Sequence, residues 1–193
     1  MNTTSRHPRG AVIAGLVAAT LALAPAAAAQ SPAAAPQQAS GATRLVFDKN
    51  PQNPSDSRLR VYKGSALWAE YRAGSGLGST NDCTRERGWL PNGKWKIRLK
   101  DRTYNGQLIK GYAIYLQDMP CSAGTTTRKE MFIHSEMNRD GTQGPRGTNR
   151  RWDGDGDYKS WGCVKLHPED IKKMFRLFDR KGYGWPTHLS VVS

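Results

Sequence analysis

Residues 160–182, SWGCVKLHPEDIKKMFRLFDRKG, join a cysteine to the one convincing helix of the sequence. The helix is predicted over residues 168–181, because His167 stands at the cap position and Pro168 at the first helical position. Gly182 is expected to end it. The apolar face of this helix consists of Ile171, Met174, Phe175 and Phe178.

The rest of the chain alternates apolar and polar residues with the period of β-strands. The clearest example is KWKIRLK, residues 94–100, in which Trp95, Ile97 and Leu99 are expected to share one face. Further strands are predicted over residues 44–48, 58–63, 66–72, 108–117, 129–134 and 188–192. The sequence therefore predicts a mainly β domain with one α-helix in its C-terminal half, packed on a sheet.

The N-terminus has the layout of a secretory signal peptide over residues 1–29. Arg6 and Arg9 precede an unbroken apolar run, and small residues after it supply a cleavage site. An uncleaved N-terminal anchor is the alternative, although the run is short for a membrane span. Residues 30–43 are rich in Ala, Pro, Gln and Ser and predict a flexible linker, which leaves residues 44–193 as one domain.

The chain of 193 residues is strongly basic, with 29 Lys and Arg, 16 Asp and Glu, and a formal net charge of +13. Loss of Arg6 and Arg9 with the signal peptide would leave +11. Such a field favours a polyanionic partner, and for an exported protein we expect an anionic cell wall. Nucleic acid is not expected, because the sequence has no helix-turn-helix, zinc-finger or aromatic RNP signature. No later segment is apolar enough to span a bilayer. From the signal peptide we expect a secreted or wall-associated protein, and we expect it to be a monomer.

The chain has three cysteines, so an exported form must leave at least one thiol unpaired. Cys83 lies in a long Gly/Ser loop and Cys121 follows a predicted strand, and both positions suit a disulfide that ties loops together. Three pairings are open. The Cys83–Cys121 pairing is favoured, because Cys163 has a better chemical use.

A free thiol becomes a nucleophile when a base removes its proton. His134, 29 residues before Cys163 and at the end of the strand MFIH, is the candidate base. The amides of Gly162 and Cys163 are candidates for an oxyanion hole, and Lys165 adds positive charge that favours a thiolate. A buried structural thiol is the alternative. A zinc site at Cys163 and His134 would need two further ligands at fitting spacing, and none is found.

The order strand–histidine, variable loop and Ser-x-Gly-Cys-Val-basic-Leu resembles the catalytic domain of L,D-transpeptidases of the YkuD type. The likeness is strongest over residues 132–166 and extends to WLPNGKWKI at residues 89–97 and VYKG at residues 61–64. The resemblance implies a YkuD-like β-sandwich catalytic domain that acts on peptidoglycan. A tetrapeptide stem would be the acyl donor and its terminal D-alanine the leaving group. The acceptor would be an amine, giving a 3→3 cross-link, or water, giving a trimmed stem, and neither a metal nor an organic cofactor is implied.

The resemblance also implies roles for the chemical groups. Cys163 would be the acylated nucleophile and His134 the general base. Ser135 would orient the imidazole, in this family typically through its backbone carbonyl.

Four more residues would surround the nucleophile. Trp161 and Gly162 would contribute oxyanion-hole amides beside that of the cysteine, and Ser160 and Lys165 would contact substrate. Trp161 replaces the usual histidine of the motif. Lys165 replaces its usual arginine, and a lysine does not clamp a carboxylate with two hydrogen bonds. The loop before Ser160 is also longer than is usual, so these departures bear on substrate preference.

A different class of function stays open at this point: a non-catalytic, cationic wall-binding module on the same scaffold. The six tryptophans would suit stacking on sugars or peptides, although tryptophan is more often buried. A reactive thiol with a depressed pKa would favour the enzyme, and an unreactive one the module. Cell-wall cysteine peptidases that place the cysteine before the histidine are not favoured, because His134 precedes Cys163.

Overall fold

The computed structural model of the protein describes residues 41–193. The predicted signal peptide, residues 1–29, lies outside the described residues, and so do residues 30–40 of the predicted linker. Within the described range, the helical segments are too short or too polar to cross a membrane.

Ten strands and one α-helix form the described part of the chain. The strands are β1 (Thr43–Asp48), β2 (Ser57–Lys63), β3 (Ala66–Gly74), β4 (Gly93–Asn105), β5 (Lys110–Leu116), β6 (Met119–Pro120), β7 (Thr127–Arg128), β8 (Phe132–His134), β9 (Val164–Leu166) and β10 (His188–Val192). The helix, α1, spans Pro168–Asp179. Eight strands form a closed ring in the order β1-β10-β4-β5-β8-β9-β3-β2, and β6 pairs with β7 separately. The predicted mainly β class with one helix is confirmed.

Two pairs of neighbouring strands in the ring are parallel, and the other pairs are antiparallel. β1 runs parallel to β10, with Leu45 opposite Leu189, and β8 runs parallel to β9, with Ile133 opposite Val164. The remaining neighbours pair antiparallel. Because hydrogen bonds continue around the ring, the two layers of the implied sandwich are joined at both edges.

The ring and the helix share one hydrophobic core. Strand residues such as Phe47, Trp95 and Leu116 are fully buried in it. The helix contributes Ile171, Met174, Phe175, Leu177 and Phe178. Full burial of one such side chain stabilises the fold by roughly 1.5–3 kcal/mol, so the predicted apolar face of α1 is what fixes the helix to the ring.

The helix begins where it is predicted to begin. The His167 imidazole accepts a hydrogen bond from the Glu169 amide, and Pro168 is the first helical residue. The helix ends at Asp179, two residues before the predicted end, because Arg180 already has an extended backbone.

Strand β4 is longer than predicted and is interrupted by a β-bulge. The pairing register with β5 shifts between Ile97 and Leu99. A bulge changes which residues face inward beyond it. Trp95 and Ile97 are buried as predicted, but Leu99 is 39% exposed, so the prediction that it shares their face is wrong.

The strand predicted over residues 129–134 is confirmed only over its last three residues, which form β8. Glu130, between β7 and β8, has a φ of 56°, a left-handed conformation that a strand does not accommodate. Strands β6, β7 and β9 were not predicted, since two or three residues are too few to show a period of two.

A disulfide joins Cys83 to Cys121, the favoured pair, and leaves Cys163 free. The two half-cystines are 38 residues apart in the chain, with Cα atoms 5.0 Å apart. The bridge ties the loop before β4 to the β6–β7 ribbon. In the chain-entropy treatment, closing a loop of this length stabilises the fold by about 4 kcal/mol.

We expect peptide mapping under non-reducing conditions to recover Cys83 linked to Cys121 and Cys163 as a free thiol. Replacement of both half-cystines by serine should lower the free energy of unfolding by about 4 kcal/mol, measured by urea denaturation. A main species that links Cys163 to either of the other two would contradict both the bridge and the free thiol.

Candidate active site

A cleft of about 1170 Å³ lies beside β8 and β9. The predicted nucleophile Cys163 and the predicted base His134 both line this cleft. Ser160, Trp161 and Lys165 line it as well. The structure therefore brings into one cleft residues that the sequence places on two separate segments.

The parallel pairing of β8 with β9 explains why the two side chains face the same cleft. Ile133 and Val164 are register partners and both belong to the main core. Side chains alternate between the two faces of a strand, so the residues that flank this pair point away from the core. These cleft-facing residues are Phe132, His134, Cys163 and Lys165.

The His134 imidazole is held in one tautomer. Its Nδ1 lies 3.1 Å from the backbone oxygen of Ser135. A carbonyl oxygen only accepts hydrogen bonds, so Nδ1 carries the proton and Nε2 keeps a free lone pair. Burial, reinforced by the charge of Lys165, lowers the pKa of His134 to about 3. The imidazole is therefore neutral at neutral pH and able to accept a proton at Nε2.

Ser135 makes this contact through its backbone, as the resemblance implies. Its hydroxyl is the single buried side-chain polar atom within residues 41–193 that has no hydrogen-bond partner. An unpaired buried polar group costs roughly 1–3 kcal/mol. The Ser135 hydroxyl thus makes no hydrogen bond to the imidazole.

The Cys163 thiol is buried and lines the cleft. Its Sγ accepts a hydrogen bond from the Phe132 amide at 3.4 Å and lies 3.8 Å from the Glu130 backbone oxygen. Burial raises the pKa of Cys163 to about 11, and the Phe132 amide, Lys165 and Arg128 offset only part of that effect. Desolvation therefore outweighs the positive charges around the sulfur, and the thiol is driven toward its neutral form.

The Ser160 hydroxyl holds the turn that carries Cys163. It donates to the Cys163 carbonyl at 2.6 Å. It accepts from the amides of Gly76 at 3.2 Å and Gly162 at 3.1 Å. One donor and two acceptor positions are all that a hydroxyl offers, so Ser160 is fully used within the protein. Its predicted contact with substrate stays a prediction.

A buried serine that the sequence did not single out orients the Cys163 amide. Ser75 Oγ donates to the Gly162 carbonyl at 3.0 Å and is itself fixed by the Leu90 amide at 2.9 Å. In a trans peptide the N–H points opposite to the C=O, so the Cys163 amide points away from buried Ser75. The Gly162 amide is taken by Ser160, which leaves the amides of Cys163 and Trp161 as the candidate oxyanion donors.

The two departures from the family motif have different surroundings. Lys165 is 6% exposed and its ammonium forms a buried ion pair with Glu136, which the sequence analysis did not predict. A substrate carboxylate would have to compete with Glu136 for Lys165. Trp161 is 55% exposed at the cleft, where its ring offers a surface for stacking on a substrate.

Several solved structures are similar to this chain. They are Bd1075 from Bdellovibrio bacteriovorus (TM-score 0.47, 16% identity), L,D-transpeptidase 1 from Mycobacterium tuberculosis (0.42, 14%) and an L,D-transpeptidase from Xylanimonas cellulosilytica (0.42, 14%). The matches cover 81%, 78% and 80% of this chain, respectively. This chain spans 50% of the Bdellovibrio chain and 62% of each of the other two. No curated protein matches the sequence significantly.

The sequence also matches the family model of the YkuD L,D-transpeptidase catalytic domain over residues 43–183. The match begins with β1 and includes β8, β9 and α1, so it contains the whole cleft-forming pair of strands. It covers most of the 193 residues. The chain therefore belongs to the YkuD family of L,D-transpeptidase catalytic domains.

Proposed function

We propose that this chain is a secreted or wall-associated cysteine acyltransferase that acts on peptidoglycan tetrapeptide stems. It releases the terminal D-alanine and passes the acyl group to an amine, forming a 3→3 cross-link, or to water. One observation carries the proposal: Cys163 and His134 face one cleft from adjacent parallel strands, and the imidazole has its Nε2 free to accept a proton.

Acylation starts from two neutral groups. The thiol proton moves to Nε2 of His134 while Sγ of Cys163 bonds to the carbonyl carbon at the L-centre of the diamino acid of the stem. The π electrons of that carbonyl move onto its oxygen, which becomes an oxyanion. The Cys163 amide, oriented by Ser75, donates a hydrogen bond to this oxyanion. Charge therefore develops only as the S–C bond forms.

Collapse of the oxyanion restores the carbonyl and breaks the C–N bond to D-alanine. The imidazolium of His134 gives its proton to the departing amine, which leaves a thioester on Cys163. An incoming amine or water then attacks the thioester and gives a proton to His134. Cleavage of the C–S bond returns that proton to the sulfur and completes the cycle.

Association with an anionic wall has support on the outer face of β4. Lys94, Lys96 and Arg98 are all exposed there. None of the three forms an ion pair with any other residue in the range 41–193. His188, opposite Lys96, has its pKa lowered by burial and by the charges of Lys94 and Lys96. The positive charge of this face is thus not neutralised within the described protein.

The catalytic pair predicts a clear mutational pattern. Cys163→Ala should abolish acyl-enzyme formation, followed by intact-protein mass spectrometry. The acyl donor would be a tetrapeptide or a carbapenem, the class of the imipenem bound by a related L,D-transpeptidase. His134→Ala should slow acylation by at least about 10²-fold, the lower range for a positioned acid–base group.

Two histidines outside the cleft serve as controls. His167 caps α1 and His188 lies on β10, so His167→Ala and His188→Ala should keep most of the activity. Circular dichroism should show all four variants folded. An active His134→Ala together with an inactive His167→Ala would refute the assignment of the base. An unreactive wild-type thiol together with the absence of any acylation would favour the wall-binding module.

The neutral resting forms of Cys163 and His134 predict how the reactivity of the thiol depends on pH. Because the pKa of Cys163 is raised to about 11, its thiolate fraction grows with pH throughout the neutral range. The rate of alkylation by iodoacetamide should rise about tenfold per pH unit between about pH 7 and 9. A rate that levels off with a midpoint near the ordinary histidine pKa would instead indicate a preformed thiolate–imidazolium pair.

The basic face of β4 predicts salt-sensitive retention on isolated anionic walls. Binding should weaken steeply as salt is added, because exposed charges are screened within about 10 Å at 0.1 M. Replacement of Lys94, Lys96 and Arg98 by glutamine should reduce retention in co-sedimentation at low salt, with acylation of a soluble tetrapeptide unchanged.

A triple variant with the same charge change controls for this effect. Lys172, Lys173 and Arg151 each already pair with a carboxylate, so their replacement by glutamine should reduce retention less. Equal losses for both triple variants, or retention that ignores salt, would show that β4 is not the binding face.

A further inference from the structure

Arg128, the last residue of β7, is a buried charged residue without a role in the reaction described above. It is 2% exposed. Its Nη1 donates to the backbone oxygens of Asp82 at 2.5 Å and Trp89 at 3.3 Å. Its Nη2 donates to those of Gly88 at 3.2 Å and Trp161 at 2.9 Å. The guanidinium therefore links the disulfide loop, the segment before β4 and the nucleophile loop.

Arg128 forms no ion pair with any residue in the range 41–193. In the described part of the chain its hydrogen-bond partners are the four carbonyl oxygens and the Met131 sulfur. An arginine stays protonated in proteins, so the positive charge persists. Carbonyl dipoles stabilise a buried cation but leave its net charge, and such a charge favours an anion close by. Burial lowers the pKa of Arg128, and the ionisable Cys163 and Asp82 oppose this effect.

We propose that Arg128 is a positioning residue for Cys163. It fixes the Trp161–Gly162 peptide behind the nucleophile and supplies the buried positive charge that the thiolate and the acyl oxyanion require. The oxyanion part of this inference rests on the proposed acyltransferase function, whereas the thiolate part does not.

The Trp161–Gly162 peptide is held at both ends. The Trp161 carbonyl accepts from Arg128 and the Gly162 amide of the same peptide donates to Ser160, so both ends of this plane are held. Ser75 holds the next peptide through the Gly162 carbonyl. Two consecutive peptide planes are thus fixed before substrate arrives, which is the preorganisation that an oxyanion hole needs.

The Arg128 guanidinium packs closely against Gly162. Gly162 has a φ of +115°, and a Cβ built on it would lie 2.0 Å from Nη2 of Arg128. The guanidinium is therefore packed directly against the backbone of the residue before the nucleophile. The glycine of the motif is required here both by its conformation and by the presence of Arg128.

The charged groups around the Cys163 sulfur differ in whether they are paired. Lys165 also acts on Cys163, but its charge is paired with Glu136. Glu130 has the opposite effect, since a negative charge disfavours the thiolate. His134 is neutral, as shown above. Arg128 is thus the cation near Cys163 that has no ion pair of its own among the described residues.

The test compares three variants of the full chain. Arg128→Met removes the charge and the hydrogen bonds. Arg128→Lys keeps the charge but lacks the planar fork of N–H donors that the guanidinium offers. Arg87→Met removes an equal charge from an exposed arginine one residue before Gly88 and serves as the control. Each variant is assayed for iodoacetamide alkylation of Cys163 at about pH 8, for kcat and KM of tetrapeptide acylation, and for thermal unfolding.

The two effects of Arg128 should separate. Arg128→Met should slow alkylation by about tenfold, equivalent to one unit of thiol pKa. Its kcat should fall by about 10²-fold with KM unchanged, as when an oxyanion donor is lost. Arg128→Lys should alkylate at nearly the wild-type rate and still lose at least about tenfold in kcat, because only the fork holds the Trp161 carbonyl. Arg87→Met should match the wild type in all assays.

A folded Arg128→Met with wild-type alkylation and kcat would overturn the proposal. If that variant does not fold, Arg128→Lys decides, and a wild-type kcat for it overturns the positioning role. The alkylation assay needs no peptidoglycan substrate. Slower alkylation of Arg128→Met in a chain that acylates no stem would therefore refute the proposed function and leave the effect on the thiolate standing.

Discussion

The parallel hydrogen-bonded pairing of β8 with β9 is the constraint on which the site depends. Each strand has three residues, and the register sets Ile133 against Val164 in the core. Side chains alternate between the two faces of a strand, so with that pair buried the flanking His134 and Cys163 face the same cleft. A slip of either strand by one residue would turn its own chemical group, His134 or Cys163, into the core. The ring closed by the other six strands is what holds two such short strands in register.

Burial gives this site a neutral resting state. It raises the pKa of Cys163 to about 11 and lowers that of His134 to about 3, so both groups are driven toward their uncharged forms. An arrangement of this kind does not store a reactive thiolate in the absence of an acyl donor. In the reaction proposed here, the buried positive charge of Arg128 acts when the sulfur and then the carbonyl oxygen become negative. Lys165 stabilises these negative charges less, because its own charge is neutralised by Glu136.

Sequence patterns predicted the elements whose signals are local. The cap and the apolar face identify α1, and the alternation in KWKIRLK identifies β4 as far as its bulge. Cys163 was separated from Cys83 and Cys121 by its chemical setting, and the structure joins the other two. The contacts that position the nucleophile were not predictable, because Ser75 and Arg128 meet the nucleophile loop 87 and 33 residues away in the chain. No periodicity or motif marks a serine or an arginine for such a contact, and only the closed ring brings it about.

The disulfide and the active site are parts of one hydrogen-bonded unit. Asp82, beside Cys83, accepts from Arg128 through its backbone oxygen, and its carboxylate accepts from the Ser122 hydroxyl beside Cys121. Arg128 continues the connection to Trp161, two residues before the nucleophile. The covalent bridge thus restrains the carbonyls that hold the guanidinium, and the guanidinium restrains the nucleophile loop. A loop closed in this way loses little conformational entropy when substrate binds, because the oxidised fold has already ordered it. The disulfide that stabilises the domain therefore also restrains the loop that carries Cys163, the nucleophile of the proposed reaction.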